Sequence, residues 1–254
     1  MNGSEHEDRV RRSFERQAAL FSGPDSPFAH RHGTLAWIEP LTHDMVVLDV
    51  ACGAAHAAES VAPHVRRVVG IDLTRALLVV GTTRLHDNAV GGVVLEEGNA
   101  EALPHPDAAF DVVFCRGSLH HFADPHGAVA EMVRVCRPGG RLVLVELVAP
   151  PGVDRTRFDH LHRLLDPSHV GTFTETEVVD LLPGGIEAVT YADTFTVRLP
   201  IDAAITEQSE RAEILRMIGE ELDGGGEPTG FEPVAEEGRI VVGFTTCVVH
   251  GIRP

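Results

Sequence analysis

The chain has 254 residues, 43% of them hydrophobic, with 38 acidic against 21 Lys and Arg side chains and a formal charge of −17. That length suits one large α/β domain with decorations, and the apolar content is ample for its core. The acidic balance disfavours nucleic acid and anionic membrane surfaces as partners, because phosphates are bound by Lys and Arg.

In chain order, the polar start MNGSEHEDRVRRS lacks the apolar core of a signal peptide. Val10, Phe14 and Phe21 among charges predict an amphipathic helix over 4–21, broken by GPDSP, with a second helical segment over 29–38. Strand-like runs follow at 45–50, 68–72, 93–97, 110–115 and 141–148, and helix-like stretches at 55–62, 74–88, near 100 and at 125–136 separate them. Five alternations of strand and helix predict a parallel sheet with crossover helices. RPGG at 137–140 stops the last of these helices before a tight reversal. Helices are expected at 153–165 and 174–182, the second with Thr174 as N-cap and Glu177 at capping-box spacing. Strands at 188–199 and 239–250 flank a helix over 201–222 and a Gly- and Glu-rich loop at 223–238; the acidic run 219–228 reads as solvated. No run of about 18 apolar residues is available for a membrane span. Cys52, Cys115, Cys136 and Cys247 lie far apart without a CxxC pair, which predicts reduced buried thiols and a cytoplasmic setting.

The stretch VLDVACGAA at 47–55 carries the strongest chemical signal. A buried apolar strand ends in Asp49, a small-residue turn follows and a helix opens. Twenty-three residues on, a second apolar run, RRVVGIDL, ends in Asp72. The turn lets a ligand approach the backbone, and the second acid can accept both hydroxyls of a ribose. An adenosine-containing cofactor is expected. A dinucleotide fingerprint fits less well, since Asp49 would repel a pyrophosphate.

These segments, together with GNAEALP and FDVVFCRGSLHHF downstream, resemble class I S-adenosylmethionine (SAM) dependent methyltransferases. The likeness is specifically to the group that includes the ubiquinone/menaquinone-biosynthesis methyltransferases, and runs from about Val10 to Pro150. It implies a three-layer Rossmann-like α/β/α sandwich around a seven-stranded sheet of order 3-2-1-4-5-7-6, with only the last strand antiparallel. One domain, 1–254, is implied: an N-terminal helical lid (1–40), a cofactor core (41–150), a helical substrate cap (151–185) and C-terminal strands with a helix and acidic loop (186–254). Asp49 would contact the methionine amino group, Gly53 would pass close to the cofactor with Ala51 beside it, and Asp72 would hold the ribose. Leu73 would pack on the adenine and Asn99 with Ala100 would read its edge. Phe21, in FERQAALF, stands where a Tyr is usual. The turn departs from the family's LDxGxGxG by carrying Ala51 and Ala55, of which Ala51 is expected to be the milder change, since the turn need not have positive φ there.

The implied activity is methyl transfer to the oxygen or activated carbon of a small organic acceptor. The rival is a protein of this fold that binds SAM yet catalyses a non-methylating step, or a non-catalytic binding module. His120 and His121, after the fourth strand, are the candidates for a general base, if one is used. Arg116 would meet the cofactor carboxylate or an anionic substrate, or form a structural ion pair. In FDHLHRLLDPSHV, helical spacing sets His160 and Arg163 on one face as substrate contacts, with His162 turned away by about 200°. Because the HxH pair lacks metal-ligand spacing, no metal is expected. A homodimer is compatible with this reading.

Overall fold

A strand buried on both faces needs apolar residues at nearly every position. β1 (Val46–Val50) meets that requirement except at Asp49, and its residues from Val47 onward are buried. In the computed structural model, which describes residues 3–22, 26, 34–205 and 211–254, β1 lies at the centre of one sheet. It pairs in parallel with β2 (Arg67–Asp72) and β4 (Phe110–Arg116). β3 (Val93–Glu97) lies beyond β2 and β5 (Cys136–Leu147) beyond β4, both parallel. The crossovers are α3 (His56–Val61), α4 (Arg75–Asp87) and α5 (Pro125–Val135), close to their expected bounds. Asp124 caps α5 by accepting from the Gly127 amide at 2.9 Å, and Pro125 opens the first turn.

The sheet ends antiparallel. β8 (Arg239–Ile252) lies between β5 and the edge strand β6 (Glu187–Pro200), giving the order β3-β2-β1-β4-β5-β8-β6. This is the expected order with one addition: an eighth, three-residue strand, β7 (Val234–Glu236), pairs with β8 off that path. Glu237 and Gly238 both take positive φ between the paired Glu236 and Arg239, the backbone of a two-residue hairpin turn. At three residues, VAE is too short to show a strand pattern in the sequence.

Among the other helices, α1 (Gly3–Gln17) runs into a short 3-10 turn (Ala18–Phe21), and α2 (Thr34–Ile38) is the part of the expected 29–38 helix within the described residues. α6 (Arg155–Leu165) precedes α7 (Glu175–Asp180), whose Thr174–Glu177 capping box forms as expected. The expected 201–222 helix is described as α8 (Ile201–Ala204) and α9 (Arg211–Leu222), with 206–210 outside the described residues. Two apolar clusters flank the parallel sheet. A third joins α6, α9 and the adjoining ends of β6 and β8 around Phe158, Leu161, Ile214, Phe231 and Phe244. The acidic stretch is exposed from Asp223 to Pro228, as expected. Its first residues belong to α9, where Glu221 accepts from the Thr229 amide (2.8 Å) and hydroxyl (2.6 Å), and beyond the stretch Phe231 is fully buried. All four cysteines are free and buried, and burial pushes their thiols up. Among the described residues no helix is long and apolar enough to cross a membrane.

Candidate active site

The turn after β1 takes left-handed φ at alternate residues: Ala51 (+56°), Gly53 (+55°) and Ala55 (+60°). Ala51 was expected to escape this conformation and does not, so each alanine carries a penalty of about 1 kcal/mol. Hydrogen bonds to the end of β2 hold the turn in place. The Cys52 amide donates to the Ile71 carbonyl at 3.0 Å, and the Gly53 amide donates to Asp72 Oδ2 at 2.8 Å. Asp72 Oδ1 accepts from the Thr74 amide at 2.7 Å. Each carboxylate oxygen offers two lone pairs, so one on each remains for a ligand.

Asp49 is 2% exposed, and its Oδ2 has no hydrogen-bond partner among the described residues. Burial pushes its pKa up to about 7, against the pull of the Arg116 charge. A buried carboxylate oxygen left without a hydrogen bond is costly, which makes this atom a receptor for a cation. Burial also raises Asp72. Asn99 is more occupied than expected: its Oδ1 accepts from the Glu101 amide (2.8 Å), capping a 3-10 turn, and its Nδ2 donates to Glu7 of α1 (3.1 Å). Phe21 packs on Ala54 and Leu77. Asp49, Ala51, Gly53, Asp72, Leu73, Asn99, Ala100, Arg116 and Phe21 all line one cavity of about 620 Å³.

The same cavity extends to His120 and His121, which sit on a 3-10 turn after β4, 4% and 7% exposed. Glu146 of β5, wholly buried, accepts from the amides of Leu119 (2.6 Å), Ser118 (3.2 Å) and Leu147 (2.6 Å), and lies 2.5 Å from His120 Nδ1. Three amide donors satisfy the carboxylate form, so His120 Nδ1–H donates and the lone pair is on Nε2. Burial nevertheless raises the Glu146 pKa to about 7. His121 Nδ1 lies 3.0 Å from Ser168 Oγ, whose hydroxyl donates to Asp166 Oδ1 at 2.6 Å. That chain makes His121 Nδ1 the donor and leaves its Nε2 a lone pair.

α6 presents a different face from the one expected. His160 and Arg163 are exposed and do not line the cavity, and Arg163 bonds instead to the Val170 carbonyl at 3.3 Å. His162, expected to turn away, is 6% exposed and lines the cavity with Leu165 and Asp166. The signal was present: Phe158, Leu161, His162 and Leu165 follow i, i+3, i+4, i+7 spacing, and His162 rides inward on that stripe.

A ubiquinone/menaquinone biosynthesis C-methyltransferase (UbiE) of Methylobacterium nodulans is 30% identical to the chain over 228 residues, 86% of each protein. The chain belongs to this methyltransferase family. A family model described as a methyltransferase domain matches residues 48–144. An uncharacterized methyltransferase, YcgJ, of Bacillus subtilis is 41% identical over 125 residues, and that match spans 49% of its length, so the chain aligns to about half of this curated relative. The crystal structure of YcgJ superposes with a TM-score of 0.77 at 27% identity, covering 88% of this chain and 99% of that one. The family's cofactor is SAM. The residues present suit it: a buried carboxylate oxygen of Asp49 with no hydrogen bond among the described residues for its ammonium, an acid at the end of β2 with free lone pairs for ribose hydroxyls, and open space beside Gly53, where an added Cβ would meet only Leu77 Cδ1 at 3.9 Å.

Proposed function

We propose that the chain transfers the methyl group of SAM to an oxygen or activated carbon of a small organic acceptor. One observation carries the reading: a single cavity joins the cofactor-type carboxylates Asp49 and Asp72 to the imidazoles of His120 and His121. Bound SAM supplies a methyl group on a sulfonium, open to in-line displacement, a reaction in which positioning provides much of the acceleration. Asp49 would hold the ammonium, Arg116 the cofactor carboxylate and Asp72 the ribose hydroxyls. Leu73, Asn99 and Ala100 would bound the adenine, with Phe21 covering the turn. His121 serves as base, taking the acceptor's proton at Nε2 while Ser168 and Asp166 fix its tautomer. His160 and Arg163 hold no substrate in this scheme.

The test is calorimetry with SAM and with NAD(H), followed by S-adenosylhomocysteine release with two acceptors, a short-chain demethylmenaquinol and a simple phenol. SAM binding with release from either acceptor is expected, and His121→Ala should bind SAM normally while release falls by about 10²–10⁴-fold. NAD(H) binding without SAM binding overturns the assignment. An unimpaired His121→Ala removes the base from the scheme.

A further inference from the structure

We propose that His120, His162 and His169 form a divalent transition-metal site, of the kind that takes Zn²⁺, with an open coordination position facing the cavity. One ring nitrogen from each of the three lies within 4.8 Å of the others, and all three residues are buried. They come from three separate places: the turn after β4, the last turn of α6, and the α6–α7 connection.

The hydrogen bonding around the rings prepares them as ligands. His120 donates Nδ1–H to Glu146, as argued above, and keeps a lone pair on Nε2. His169 Nε2 lies 2.9 Å from Asp159 Oδ1, which also accepts from the Thr172 amide (2.8 Å) and hydroxyl (2.6 Å). That bond fixes the proton on His169 Nε2 and the lone pair on Nδ1. His169 Nδ1 is buried without a partner among the described residues, and so is His162 Nδ1. A carboxylate behind each of two imidazoles is the usual support of metal-bound histidine, orienting the ring and raising its basicity. The carboxyl groups of Glu146 and Asp166, both buried, and of half-buried Asp159 surround the three rings with acceptors suited to a cation site.

Nitrogens on a tetrahedral Zn²⁺ stand ~3.3 Å apart, so the rings must draw together on binding. The His162 and His169 rings now stack, with centroids 4.0 Å apart and planes 17° from parallel, and must tilt for both lone pairs to meet one ion. Three protein ligands leave a fourth position, as in catalytic rather than structural zinc sites. His120 and His162 line the cavity, so that position would take an anionic oxygen or sulfur. On the methyl-transfer reading above, on which this last assignment rests, that atom belongs to the acceptor, and the metal would hold it ionised beside the cofactor.

The experiment loads chelator-treated full-length protein with ZnCl₂ and, separately, CoCl₂, and measures SAM binding by calorimetry on the same preparation. One retained equivalent of Zn²⁺ per chain is expected, with visible d–d bands for Co²⁺ that shift on adding azide. His162→Ala and Asp159→Asn should each weaken Zn²⁺ binding at least tenfold, whereas the exposed His86→Ala should leave it unchanged. Circular dichroism establishes that the variants fold. Should either variant unfold, the Co²⁺ bands of the unaltered protein decide. Failure of the unaltered protein to retain metal, or equal retention by His162→Ala, overturns the site. Co²⁺ bands indifferent to azide overturn the open position. Because SAM binding is read independently, loss of the metal site is distinguishable from failure of the methyltransferase reading.

Discussion

The two ends of the cavity are built by different means. At the cofactor end, backbone amides do most of the holding: those of Cys52 and Gly53 tie the turn to the end of β2, and that of Thr74 fixes Asp72. At the histidine end, side chains hold side chains, with Glu146 beneath His120, Asp166 behind His121 through Ser168, and Asp159 behind His169. A backbone-held site tolerates varied neighbours, as the alanines at 51 and 55 show. A site held by buried carboxylates depends on each one, because removing it strands several partners at once.

The largest effect should therefore follow from Glu146→Ala, which leaves the amides of Ser118, Leu119 and Leu147 and the His120 ring without their acceptor. A loss of about 3–5 kcal/mol of folding stability is expected in urea titrations. SAM affinity in the residual folded protein should change little; a matching collapse of affinity would mean that the two ends are not separable. Next, Asp72→Ala removes the ribose acceptor and the anchor of the Gly53 amide, and calorimetry should show binding weakened about tenfold to a hundredfold, or ~1.5–3 kcal/mol.

A pH dependence sharpens the contrast. Asp49 titrates near 7 in the free protein, whereas a bound ammonium favours the carboxylate, so SAM binding releases a proton below that pH. Affinity should fall by up to about tenfold per unit as pH drops below 7, and fall again above about pH 8 as the ligand's ammonium loses its proton. Asp49→Asn should abolish the slope along with much of the affinity; an unchanged slope would assign it elsewhere. The smallest effect concerns the turn. Ala55→Gly relieves a φ of +60° and should raise stability by up to about 1 kcal/mol in thermal melts. Ala57→Gly inside α3 should lower it by a similar amount.

The same contrast explains what was legible in the sequence. The parallel strands and the cofactor-type acids follow from apolar runs that end in Asp49 and Asp72, a local pattern that the backbone obeys, whereas the strand order was legible only through the family resemblance. The histidine end depends on which face of α6 turns inward, and the i, i+3 helical spacing pointed to His160 and Arg163. The apolar stripe of Phe158, Leu161 and Leu165 decided otherwise and carried His162 with it. No spacing rule could join His120 to His162 and His169, because the fold brings them together from separate elements. Glu146 reads as one polar residue inside an apolar strand, and its importance appears only once β5 is seen beneath the turn after β4. β7 escaped notice because three residues of VAE carry no alternation to read.

β8 has a consequence for how the molecule comes into being. This strand is the sole sheet neighbour of β6 and also the outer partner of β5, yet it follows both in the chain and is separated from β6 by α8, α9 and β7. During synthesis β5 and β6 therefore emerge with bare edges and wait for a partner still within the ribosome. Unpaired strand edges are templates for association with other chains. Slow translation across the stretch between β6 and β8 would lengthen that exposure, so the yield of folded protein should depend on the codons there as well as on the amino acids they specify.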